Sequence, residues 1–92
     1  MERRRMQVTY SGQVQGVGFR YQAKRLAAGY EIVGEVRNAA DGTVELVAEG
    51  DQQELDAYRE AIRKCGLGPL IRDEKLSWST PRNTFRGFEI VR

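Results

Sequence analysis

The apolar residues of this chain switch from a period of two to a helical period and back, and they do so twice. Met6, Val8 and Tyr10 alternate with Gln7, Thr9 and Ser11, the signature of a half-buried strand. From Phe19 the pattern turns helical. Phe19, Ala23, Leu26 and Ala27 fall on one face, and Gly29 supplies a stop. A second strand follows from Glu31 to Asn38, with Ile32, Gly34 and Val36 on one face and Asn38 at the same parity. Ala39-Ala40-Asp41-Gly42 reads as a hairpin turn, and Val44, Leu46 and Ala48 mark a third strand. Asp51 is expected to cap a second helix, with Glu54 in the capping-box position. Leu55, Tyr58, Ile62 and Cys65 form the apolar stripe of that helix, and Gly66 ends it. Leu76 and Trp78 put a fourth strand at Lys75–Thr80, and Phe88 and Ile90 put a short strand after it.

This order is that of the split βαβ, so the expected fold class is α+β. The architecture is a ferredoxin-like βαββαβ sandwich, an antiparallel sheet with two helices on one face. The first two strands should be parallel, joined by a right-handed crossover, with the third between them and antiparallel to both. Parallel strands end on the same edge of a sheet. Arg20, opening the first helix, and Asn38, closing the second strand, are therefore expected side by side.

With 92 residues the chain is expected to form one domain, residues 1–92. Its start, Met1-Glu2-Arg3-Arg4-Arg5, is basic but runs into Gln7, Thr9 and Ser11, unlike the apolar centre of a signal peptide. No apolar run is long enough to span a bilayer, so a cytoplasmic protein with no membrane partner is expected. The three arginines read as a solvated, frayed terminus. Cys65 is single, and reads as a core residue. A net charge of +2 gives no argument for nucleic acid. The chain has no histidine, which removes the usual proton carrier at neutral pH.

Gly12, Gly16 and Gly18 lie just before the first helix. Glycines let successive backbone N–H groups turn into one concave space, and a helix start adds unpaired donors and partial positive charge. Arg20 adds a planar fork matched to two phosphate oxygens. These parts make an anion cradle. The common phosphate-loop rivals fit poorly. No Gly-Lys-Ser/Thr step occurs, position 21 is Tyr21 where a dinucleotide loop needs glycine, and Val14 stands where a cysteine phosphatase keeps its nucleophile. What remains is attack by water on a bound phosphoryl group. Most phosphate esters then need a general acid or a metal. An acyl phosphate does not, because its carboxylate leaving group has a conjugate acid of pKa about 4.

Gly12-Gln13-Val14-Gln15-Gly16-Val17-Gly18-Phe19-Arg20 resembles the acylphosphatase signature, and the run from Gly34 to Glu45 resembles that family's second motif. The resemblance implies that the amides of Gln15, Gly16, Val17, Gly18 and Phe19, with the Arg20 side chain, bind the phosphoryl group. It implies that Asn38 orients the attacking water, making Arg20 and Asn38 the catalytic pair. It also implies a small acyl phosphate substrate, inorganic phosphate as product, no metal, no cofactor and no covalent intermediate. A monomer is expected. One departure stands out. Glu35 replaces the family's usual tryptophan, and on strand parity it points away from the Asn38 face. It motivates an alternative, an anion-binding or regulatory module of weak activity. A third reading, an RNA-binding sheet, meets a strand Thr43–Glu49 with no aromatic and two acids.

Overall fold

The computed structural model describes residues 2–92; Met1, part of the basic start read from sequence, lies outside the described residues. Five strands and two helices follow in order: β1 (Arg3–Gly12), α1 (Phe19–Ala27), β2 (Ile32–Asn38), β3 (Val44–Asp51), α2 (Gln52–Lys64), β4 (Ile71–Ser79) and β5 (Phe88–Ile90), with a 3-10 turn at Gly68–Leu70 before β4. The sheet order is β4-β1-β3-β2-β5. β3 lies between β1 and β2 and is antiparallel to both, so β1 and β2 run the same way, as expected.

Alternation fixes which side of the sheet is covered. Met6, Val8 and Tyr10 on β1, Val36 on β2, and Val44, Leu46 and Ala48 on β3 are buried in one cluster with Phe19, Ala23 and Ala27 of α1 and Leu55, Tyr58 and Ile62 of α2. Both helices thus pack on one face. Tyr58 stitches them together, its hydroxyl donating to the Ala23 carbonyl at 2.7 Å.

The sheet departs from expectation at its margins. It is mixed rather than antiparallel, because β5 pairs parallel with β2, placing Phe88 against Gly34 and Ile90 against Val36. β4 begins at Ile71 rather than near Lys75, because the polar edge residues Arg72, Asp73 and Lys75 blur the alternation there. β1 begins at Arg3, so Arg3–Arg5 is not frayed but pairs with Asp51, Gly50 and Glu49. The capping box does not form. Asp51 makes no side-chain cap, and the Glu54 carboxylate instead accepts the Glu31 N–H at 2.8 Å, tying the start of α2 to the approach to β2. Cys65 is half-buried at the end of α2 rather than within the core.

Since β4 and β5 occupy opposite edges, residues 80–87 must cross the sheet. Glu49, fully buried, anchors the crossing. Its carboxylate accepts the Arg82 N–H at 2.9 Å, the Asn83 N–H at 3.1 Å and Arg5 Nη1 at 2.7 Å. Phe85 of the same segment lies under the Arg5 guanidinium, 5.5 Å from it.

Candidate active site

The glycine loop hangs between two core anchors. Val14 is buried before it and Phe19 after it, the latter with its ring 5.0 Å from that of Tyr10. Between them Gly16, Val17 and Gly18 are exposed. Gly16 (φ 77°) and Gly18 (φ 85°) take left-handed backbone, and a Cβ at either would meet open space. Glycine is therefore required by the turn of the chain and not by crowding. Gly18 is the residue before α1, and no side chain caps that helix start. Its first amides accordingly remain available to a ligand.

Arg20, half-buried in the first turn of α1, lines a cavity of about 290 Å³ with Gly16, Gly18, Tyr21 and Ile90. No acidic residue lies in that turn, which leaves the positive helix end unopposed. The second motif arrives alongside. Gln15 Nε2 donates to the Ala39 carbonyl at 2.8 Å and to the Thr43 carbonyl at 2.9 Å, so the loop is fastened to the β2–β3 hairpin immediately after Asn38. That hairpin is itself closed by Ala39 N–H to Thr43 carbonyl at 2.8 Å. Asp41 braces it by accepting both the hydroxyl (2.6 Å) and the N–H (3.1 Å) of Thr43, bonds that hold its carboxyl below the usual range.

Asn38 shares a lateral row with Val44 and Tyr10 on the helix-covered face. Its Oδ1 is buried and has no hydrogen-bond partner. Tyr10 carries a second unpaired buried oxygen, and burial drives that phenol's pKa upward. Of the expected site residues, the structure therefore gathers Gly16, Gly18 and Arg20 round one cavity. The Gln15 side chain turns to the hairpin, Val17 faces outward, and the Phe19 side chain enters the core, leaving these residues only their amides to offer. Asn38 stands at the adjoining strand end without being a wall of the cavity. Sequence reading missed Tyr21 and Ile90 as walls. Ile90 reaches the site through its parallel register with Val36, two residues before Asn38, which the apolar alternation of Phe88 and Ile90 does not reveal.

With this geometry established, comparison with known proteins is specific. The family model for acylphosphatase matches residues 6–90. The chain belongs to the acylphosphatase family. It is 47% identical over 80 residues to an acylphosphatase of Clostridium acetobutylicum, covering 87% of this chain and 88% of that one. An acylphosphatase of Trichormus variabilis is 40% identical over 91 residues, covering 96% and 86%. The crystal structure of acylphosphatase from Bacillus subtilis superposes with a TM-score of 0.88 at 31% identity, over 97% of this chain and 99% of that one. Within this acylphosphatase-family chain, Glu35 pairs with Val47 and Glu89 and alternates with the buried Gly34 and Val36. It lies on the sheet face away from the helices and from Asn38.

Proposed function

We propose that residues 1–92 act as a single acylphosphatase domain that hydrolyses the carboxyl–phosphate bond of small acyl phosphates by direct attack of water. The observation that carries this reading is a loop of free amides beside Arg20, fastened by Gln15 to the hairpin that begins directly after Asn38. In the proposed reaction the amides from Gln15 to Phe19 and the Arg20 guanidinium hold the phosphoryl oxygens. Each such charge-assisted bond contributes about 1.5–3 kcal/mol. The Asn38 carboxamide orients the attacking water toward phosphorus. The new P–O bond forms as the bond to the carboxylate breaks. The electron pair leaves on the carboxylate, and the water protons pass to phosphate and solvent. Since the leaving group departs unprotonated, positioning and charge stabilisation supply the catalysis.

The rim favours an apolar acyl group. Of the four exposed large apolar side chains among the described residues, Tyr21 and Ile90 wall the cavity and Val17 belongs to the loop itself. We further propose a monomer, because one chain supplies every residue invoked, and a cytoplasmic protein. Among the described residues no helix is long and apolar enough to cross a membrane. The test is hydrolysis of benzoyl phosphate by metal-free protein beside a phosphate monoester. Turnover of the first and not the second supports the proposal. Tight phosphate binding with no turnover of either selects the regulatory module instead.

A further inference from the structure

We propose that the Gln15 side chain is a positioning residue that sets the distance between the phosphoryl cage and Asn38, an inference that rests on the reading just given. A carboxamide nitrogen carries two hydrogens, and here both are used across the gap, to Ala39 and to Thr43. The two acceptors flank the turn that follows Asn38, and Ala39 shares a peptide bond with it. Any movement of the Ala39 carbonyl is passed to Asn38. The turn they flank is stiff, held by Ala39 N–H to Thr43 and by the double grip of Asp41 on Thr43.

The loop is the opposite. Gly16 and Gly18 have open space where side chains would be, and the backbone there is shaped by positive φ rather than by neighbours. Among the described residues, it is the Gln15 side chain that hydrogen-bonds this loop to the hairpin, linking segments 24 and 28 residues apart. Without it the cage keeps its amides and Arg20, and Asn38 keeps its carboxamide, but their separation is no longer fixed. A displacement near 1 Å can lower a rate by about 10²-fold. Phosphate affinity, set within the cage, should hardly change.

The test is a double-mutant cycle of Gln15→Met and Asn38→Ala. Gln15→Met keeps length and removes both donors. The measurements are kcat and KM for benzoyl phosphate and competitive inhibition by inorganic phosphate, with each variant's folded fraction fixed by urea unfolding. The expected result is a fall in kcat of about 10- to 100-fold for Gln15→Met with phosphate inhibition changed less than about threefold, and no further fall when it is added to Asn38→Ala. Gln15→Asn, one methylene too short, serves if the methionine variant does not fold, and the same pattern is expected of it. Three results overturn the proposal alone: unchanged kcat, loss of phosphate affinity in step with kcat, or effects that multiply in the double variant. A parent without acyl phosphate hydrolysis, or an Asn38→Ala variant as fast as the parent, overturns the functional reading and this proposal with it.

Discussion

Removing the Glu49 carboxylate should destabilise the protein severely while sparing its chemistry. The side chain has no solvent exposure and Arg5 has 12%, so Glu49→Ala leaves a nearly buried guanidinium without its partner. Breaking a buried pair from one side costs about 3–5 kcal/mol. The Arg82 and Asn83 amides belong to exposed residues, so water replaces Glu49 there at a net loss of about 1 kcal/mol each. Loosening of the crossing segment lets water reach Arg5 and offsets part of the total, which leaves about 3–4 kcal/mol. That is a large share of the roughly 5–15 kcal/mol typical of a domain. Urea unfolding, followed through the single Trp78, should show the midpoint falling by about 2–4 M for a slope near 1–1.5 kcal/mol per M. Turnover per folded molecule should be unchanged, because Glu49 pairs with Val33 at the far end of β2 from Asn38. Acid should act through the same group. Burial raises the Glu49 pKa, but the Arg82 amide, Arg5 and the Asn83 amide outweigh it and hold it below 4.5. A depressed carboxyl contributes stability above its unfolded pKa and loses it as pH falls through the folded value. The gap between parent and variant should thus narrow below about pH 4. A loss under about 1 kcal/mol near neutrality, or a gap that widens in acid, would refute the anchoring argument.

The remaining expectations concern the site. Arg20→Ala should abolish inhibition by phosphate together with turnover, whereas Asn38→Ala should lower kcat by about 10²-fold or more and leave phosphate inhibition nearly intact, read by steady-state kinetics with competing phosphate. Gly18→Ala, at φ 85°, should destabilise the fold by about 1–2 kcal/mol in urea unfolding and weaken phosphate inhibition as the loop distorts. Tyr21→Ala should raise KM for benzoyl phosphate several-fold more than KM for acetyl phosphate, with kcat for both little changed; equal effects on the two substrates would remove Tyr21 from the acyl site.

Much of this was legible in the chain because local signals and tertiary structure agree. Met6, Val8 and Tyr10, and then Phe19, Ala23 and Ala27, announced their periods and are all buried. Once β1 and β2 were read as parallel, the meeting of loop and strand end followed from topology alone. What stayed hidden depends on partners remote in sequence. Arg3–Arg5 looks like a solvated tail until Glu49 and the crossing segment close over Arg5. Glu54 has the spacing of a capping residue, but the Glu31 amide competes for its carboxylate and wins. The two carbonyls that Gln15 reaches, and the role of Ile90 as a wall, carry no local pattern.

The position of Ile90 bears on how the protein is made. Its strand can dock on β2 only after the chain has travelled from one sheet margin to the other, and Gly34 N–H to Gly87 carbonyl and Val91 N–H to Val36 carbonyl then hold it there. These contacts join residues more than fifty positions apart, the kind that form late because loop closure must come first. During synthesis the cavity beside Arg20 therefore stays open on one side until residues 88–90 have emerged and docked, and a nascent chain halted before that point would have its glycine loop and Arg20 but no finished enclosure.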